Sequence, residues 1–267
     1  MIRVLSGAVL VALTIALVWF APPALFLAAA FLLLLAATIE LVGLARTSGL
    51  QIPVWPSVTG ALITLAALAM PAASSRLQPD PLHVVLLAQL VALSGVTLSR
   101  WRGGPDALAR VSAALFPSLY LALPIGALLA IRVHEGPGPL FLLMLTVMVS
   151  DTAQYYAGRL AGRRPLAPAV SPKKTTEGAI GGFVFGALVL AIAGAWWLPR
   201  VPVAFRALLG VTVVALGITG DLFESMLKRS AGVKDSAVLI PGHGGVLDRI
   251  DALLFAAPVY YIVIQYI

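Results

Sequence analysis

Cysteine is absent from all 267 residues, which excludes disulfides, thiolate nucleophiles and Cys-based zinc sites and leaves the redox compartment open. Charge is scarce as well. Only 11% of the residues are Asp, Glu, Lys or Arg, less than half the roughly 25% usual in soluble domains. So few charges cannot cover a globule in water, but they can cover the loops of a protein whose sides face lipid. No internal repeat and no low-complexity linker is visible, and nothing resembling a soluble domain interrupts the chain.

Apolar sequence fills the space. The chain is 60% hydrophobic with a mean hydropathy of +1.00. A spanning helix needs about 20 mostly apolar residues, and nine runs qualify, at roughly 4–20, 24–44, 55–73, 82–99, 112–131, 139–157, 178–198, 203–224 and 250–267. The fold expected is therefore an all-α integral membrane protein of about nine transmembrane helices in a single polytopic domain, with 1–135 as scaffold helices and 136–267 as catalytic helices and loops. The first run follows Arg3 and resembles a signal peptide, but a second long apolar run follows at once, so a retained helix is expected.

The formal net charge of +7 would suggest nucleic acid in a soluble protein. Here the basic residues fall between apolar runs, so membrane orientation and phosphate binding are expected, with no nucleic-acid partner. With nine spans the loops alternate sides. The amino-terminal side takes 14 Lys and Arg and the other side only four: Arg76, Arg132, Arg200 and Arg206. The positive-inside rule then puts the amino terminus and both long polar loops in the cytoplasm of a multi-pass protein of the cell (inner) membrane.

The polar residues cluster. Seven of the 11 acids are Asp151, Glu177, Asp221, Glu224, Asp235, Asp248 and Asp251, whereas the first five runs hold little beyond Glu40 that calls for special explanation. Asp221, Glu224, Ser225 and Lys228 are spaced to share one helix face. Asp248 and Asp251 are three apart at the next helix start, after a loop with Gly242, Gly244 and Gly245 around His243. Carboxylates from two helix ends thus converge over a loop rich in Lys and Arg. Asp side chains hold a hard cation such as Mg²⁺, and Mg²⁺ with Lys and Arg holds polyphosphate. Taken singly, Asp221 and Asp248 could equally cap helices or pair with Lys228 and Arg249. An acid close behind the apolar stretch 208–219 is costly, however, and usually functional. His243 between glycines suits a loop hydrogen-bonder, Glu177 a capping residue, and Gly181 and Gly182 close helix packing.

The segment 225–251 resembles the signature of the phosphatidate cytidylyltransferase family, in Ser225-x-x-Lys228-Arg229, Lys234-Asp235, Pro241-x-His243-Gly244-Gly245 and Asp248-Arg249-x-Asp251. A second block is similar in Asp151-x-x-x-Tyr155-x-x-Gly158-Arg159 and in Ser171-Pro172-x-Lys174-Thr175-x-Glu177-Gly178, departing at Gln154 and Thr176. The resemblance covers 149–251 well and the first five runs only in hydropathy. It implies the reaction of CTP with phosphatidate to give CDP-diacylglycerol and pyrophosphate, with Mg²⁺; a second cation and a homo-oligomer stay open. The expected catalytic residues are Asp221, Asp248, Lys228, Arg229 and Ser225. Substrate contacts are expected from Lys174, Ser171, Thr175, Lys234, Asp235, His243, Gly244 and Arg249, and metal ligation from Asp221, Asp248 and, more weakly, Asp251. Glu224 would support this set from behind. The site would open to the cytoplasm and laterally to membrane lipid. Two alternatives remain: a CTP-dependent kinase of a lipid alcohol such as a polyprenol, which would need a base for a neutral hydroxyl, and an anion transporter, for which repeats and broken helices would be expected.

The orientation has a direct check. Because the chain has no cysteine, single introduced cysteines in 159–177 and 228–249 can be labelled without background. An impermeant thiol reagent is expected to reach them only from the cytoplasmic side, and labelling of intact cells from outside would overturn the orientation.

Overall fold

The computed structural model describes residues 2–50, 52–70, 80–237 and 244–267. It is mostly helical. The helices are α1 Ile2–Phe20, α2 Pro23–Thr47, α3 Val54–Ala69, α4 Pro81–Arg100, α5 Ala107–Pro117, α6 Leu123–Ala130, α7 Pro137–Ala161, α8 Thr176–Trp197, α9 Val203–Ser230 and α10 Leu247–Gln265. Each of the nine apolar runs is helical over most of its length. Among the described residues six helical stretches are long and apolar enough to cross a membrane: Pro23–Thr47, Pro81–Arg100, Ala107–Glu135, Pro137–Ala161, Thr176–Trp197 and Val203–Ser230. Gly7–Phe20 and Val54–Ala69 are apolar but shorter. The 19-residue α10 carries Asp248, Arg249 and Asp251 near its start.

Two features depart from the expectation. The fold is not purely helical: β1 Pro165–Ala167 and β2 Ser171–Thr175 form an antiparallel hairpin between α7 and α8. These strands are short and interrupted by proline, and neither alternates apolar with polar residues, so no periodicity announces them. The fifth run is also not one regular helix. Ser118–Ala122 and Ile131–Glu135 are π-helical, and the first of them lies between Pro117 and Pro124. Each proline lacks the N–H that the helix ladder needs, and a π-turn is one way a helix absorbs such a break.

The carboxyl-terminal half is a chain of neighbours: α7 packs on α8, α8 on α9 and α9 on α10, while α10 also meets α6. The core holds Leu34, Leu65, Leu121, Ile125, Leu142, Leu143, Leu254 and Tyr260, all almost wholly buried. The Tyr260 hydroxyl donates to the Pro139 carbonyl at 3.1 Å, which satisfies the one polar atom of that side chain. Large apolar side chains such as Leu32, Leu87, Val91 and Ile192 face outward, as lipid-facing walls require. At one end of the bundle Trp19, Phe141 and Trp197 cluster, and Arg132 donates from Nε to the Val18 carbonyl at 2.7 Å. The opposite end carries the polar residues.

Small residues let α7, α8 and α9 approach closely. Gly181 and Gly182 lie against Ala153, Ala157 and Gln154 of α7. A Cβ at Gly210 would stand 2.7 Å from Ala187 Cα and 3.2 Å from Gly186 O, both backbone atoms of α8 that cannot turn aside. Gly210→Ala is therefore expected to force α8 and α9 apart and to cost about 1–3 kcal/mol. Thermal unfolding of the purified protein in detergent measures this, and an unchanged melting temperature would remove Gly210 as the point of closest approach.

Candidate active site

The site is assembled at the carboxyl ends of α7 and α9 and the amino ends of α8 and α10. α9 runs on through Ser225, Lys228 and Arg229, beyond the expected end of its run near 224, so these residues extend one helical face past the apolar stretch. On that face Lys228 and Glu224 are both buried, with Lys228 Nζ 3.0 Å from Glu224 Oε1. The approach is an ion pair without hydrogen-bond alignment, since neither Glu224 oxygen has a hydrogen-bond partner. The same ammonium lies 2.5 Å from Oδ1 of Asp248 on α10. One lysine thus stands between two carboxylates from two helices.

Asp248 is held from both sides. Its second oxygen, Oδ2, accepts from Ser236 N at 3.1 Å and Gly245 N at 2.8 Å, and lies 2.9 Å from Ser236 Oγ. The loop can come this close because Gly244 has φ +77° and no Cβ to strike the Asp248 carboxylate. Asp221, nearly two turns before Lys228, pairs with Lys174 from β2, and its other oxygen is 3.4 Å from Ser225 Oγ. Both acids are therefore ion-paired: Asp248 meets Lys228, one of the two expected partners, and Asp221 meets Lys174, which was not expected.

The hairpin brings Lys173 and Lys174 to the site. Glu177 accepts the backbone N–H groups of Arg163 at 3.0 Å and Arg164 at 3.2 Å, so it clamps the hairpin entry and does not form a capping box. The cap of α8 is Thr175, whose hydroxyl accepts from Gly178 N at 3.1 Å. Arg229 donates from Nη1 to the Val233 carbonyl at 2.9 Å and reaches the Val170 carbonyl at 3.4 Å, tying the end of α9 to the hairpin turn.

These residues surround a cavity of about 610 Å³. Of the expected site residues, Asp221, Ser225, Lys228, Arg229, Lys174, Thr175, Lys234, Asp235, Asp248, Arg249 and Asp251 line it. Ser171 opens β2 and Gly244 supports Asp248, and neither is on the cavity wall. His243 lies outside the described residues. Seven basic side chains against five carboxylates line the cavity, a surplus that suits a polyphosphate. Asp151 and Gln154 belong to the wall as well, with Gln154 Nε2 donating to Asp151 Oδ1 at 3.0 Å. Asp151 also borders a second, apolar cavity of about 410 Å³ between α1, α7 and α10, lined by Leu10, Ile15, Val18, Phe141, Met144 and Met148 among others. Asp151, Arg249 and Asp251 are common to both.

The donor set is oxygen only. Among the described residues no three acidic or histidine side chains stand together as a cage for a metal ion. A Mg²⁺ held by one or two carboxylates and completed by substrate phosphates and water needs no such cage, so Asp221 and Asp248 fit that kind of ion.

Sequence reasoning marked Glu40 as calling for explanation but gave it no role in the site. It is buried on α2, and its carboxylate accepts from Ser236 Oγ at 2.8 Å, Val246 N at 2.8 Å and Leu247 N at 2.9 Å. The signal was an acid inside an apolar run, which is costly unless it has partners; the partners themselves come from distant sequence.

Helical walls facing lipid and a cationic, carboxylate-bearing cavity at one end define a membrane protein with a site for phosphorylated substrates. Comparison with known proteins makes this specific. The model of the cytidylyltransferase family matches residues 1–267. The chain is 34% identical over 273 residues to the phosphatidate cytidylyltransferase of Mycobacterium bovis, covering 98% of this chain and 89% of that one. It is 47% identical over 135 residues to the phosphatidate cytidylyltransferase of Haemophilus influenzae, covering 48% and 46% of the two chains. It is 48% identical over 121 residues to that of Synechocystis, covering 44% and 40%. The chain belongs to the cytidylyltransferase family and is a nucleotidyltransferase.

The buried triad gives a stability test. Lys228→Met leaves Glu224 and Asp248 without their cation and is expected to cost about 3–5 kcal/mol. Adding Glu224→Gln should return part of that loss. Denaturant or thermal melts in detergent decide it; a single variant as stable as the parent would mean the two carboxylates do not depend on Lys228.

Proposed function

We propose that the chain transfers the cytidylyl group of CTP to the phosphate of phosphatidate, giving CDP-diacylglycerol and pyrophosphate. The observation that carries this reading is the junction of two unlike cavities, one polar and cationic and one apolar, which share Asp151, Arg249 and Asp251. CTP is a soluble polyanion. Phosphatidate carries its phosphate at the end of two apolar chains. A triphosphate suits the polar cavity, among Lys173, Lys174, Lys228 and Lys234. Acyl chain suits the groove between α1, α7 and α10, which leaves the lipid phosphate at Arg249.

The reaction then needs little acid–base help. An oxygen of the lipid phosphate, ionised near neutral pH, attacks the α-phosphorus of CTP. The bond from that phosphorus to the oxygen bridging to the β-phosphorus breaks, and pyrophosphate leaves with the electron pair. Two anions must meet, so positioning and charge neutralisation are the main tasks. Lys174 and Lys228, which now face Asp221 and Asp248, are the ammonium groups best placed to turn toward phosphate oxygens. Mg²⁺ would be held by Asp221 and Asp248, with Asp251 a weaker candidate, and when bound would supply further positive charge against the triphosphate. Ser225, Arg229 and Lys234 complete the phosphate contacts, and Glu224 supports Lys228 from behind.

The same reading has nine spans in the inner membrane, with the site facing the cytoplasm, where CTP is available. It is supported by the gathering of Arg46, Arg159, Lys228 and Arg249 at the end of the bundle that carries the cavity.

Isotope placement tests the reaction. With purified protein, label on the α-phosphorus of CTP is expected in the lipid and label on the γ-phosphorus in pyrophosphate, and both transfers should stop with chelator and resume with Mg²⁺. Entry of γ-label into lipid would replace this reading with a lipid kinase, and full turnover in chelator would remove the metal.

A further inference from the structure

Helix α10 begins without a cap of its own: no side chain in its own sequence accepts from its first N–H groups. Those groups are met from 206 residues away, by Glu40 of α2. Glu40 Oε1 accepts from Val246 N at 2.8 Å, and Oε2 accepts from Leu247 N at 2.9 Å. An anionic group at a helix start meets both the free N–H groups and the positive end of the helix dipole. Oε2 also accepts from Ser236 Oγ at 2.8 Å, and that hydroxyl is 2.9 Å from Asp248 Oδ2. Ser236 N and Gly245 N hold the same Asp248 oxygen. Glu40 therefore grips the loop residue that contacts Asp248 and the two residues that precede Asp248. Gly245 has no room for a side chain, because a Cβ there would run into the Glu40 carboxylate and Ser236 Oγ.

Placement in the apolar run of α2 sharpens the point. Glu40 is 7% exposed and no Lys or Arg pairs with it among the described residues. A buried carboxylate without a cation is expensive, and here three donors from the site's own loop and helix offset that cost. Each of the three belongs to the segment that positions Asp248. The scaffold half thereby reaches directly into the site without touching the cavity wall.

We propose that Glu40 is a positioning residue for the nucleotidyl transfer, setting the start of α10 and the Ser236 contact so that Asp248 faces the cavity. This rests on the cytidylyl-transfer reading for its activity assay. Glu40→Gln keeps the size but turns one acceptor into an NH₂ donor that opposes an N–H or the Ser236 hydroxyl. Glu40→Asp keeps the charge but is one methylene short. Ser236→Ala removes only the bridging hydroxyl from a half-buried position.

The test measures kcat, KM for CTP and amide hydrogen exchange at Gly245, Val246 and Leu247 on the purified full chain, with melting temperature alongside. Glu40→Gln is expected to lower kcat on the order of 10²-fold, the scale of a misplacement of about 1 Å. KM for CTP should change little, and exchange should quicken at Val246 and Leu247. Ser236→Ala should lose less, roughly tenfold, without changing exchange at Leu247, and Glu40→Asp should recover part of the Gln loss. Unchanged kcat in the Gln and Ser236 variants of an active parent would overturn the proposal, as would a kcat loss matched by global destabilisation with no local change in exchange. An inactive parent whose Glu40→Gln variant still exchanges faster at Val246 and Leu247 would instead count against the cytidylyl-transfer reading and leave the Glu40 contact standing.

Discussion

Lys228 sits buried between Glu224 and Asp248, and the rest of the site is arranged around the need to keep that charge accompanied. A lone ammonium or carboxylate at this depth would be driven to neutrality or pulled toward water. Two carboxylates around one lysine lock α9 to α10 at the end of the bundle. That lock brings Asp221, nearly two turns earlier on the same face of α9, opposite the hairpin that delivers Lys174. The long extension of α9 past its apolar stretch has the same cause, because Lys228 must stay helical to remain beside Glu224 four residues earlier.

A second constraint comes from close helix packing. Without a hydrophobic drive between helices in lipid, contact depends on how near the backbones come. Gly181, Gly182 and Gly210 supply that nearness among α7, α8 and α9. The polar cavity is therefore framed by closely packed helices, and among the described residues the hairpin and the turn after α9 stand outside them. Glu177, Thr175 and Arg229 tie those two segments back to helix ends through backbone groups.

Much of this was legible in the sequence. Apolar runs encode helices locally, and the helices fall where the runs do. The spacing of Asp221, Glu224, Ser225 and Lys228 put them on one face, and most of the residues singled out by motif do line one cavity. What was not legible has a common physical character. The hairpin is built from backbone pairing in a short, proline-containing stretch without alternation. The π-turns answer prolines whose effect depends on what packs around them. The partners of Asp221 and Glu40 are set by tertiary approach, and no local pattern names them. Glu177 showed the same limit: its place three residues after Lys174 suggested a capping box, but the N–H groups it meets lie across the hairpin.

The Ser236 hydroxyl has one hydrogen and two carboxylates within reach, Glu40 Oε2 and Asp248 Oδ2. It can satisfy only one of them at a time. The side chain is thus shared between the scaffold and the cavity end of the molecule. Any change in how strongly Asp248 competes for that hydrogen changes what remains for Glu40, and linkage makes the influence mutual. A substitution among the first helices that tightens Glu40 against the hydroxyl would then be felt as a less well-solvated Asp248, with no atom of the cavity replaced.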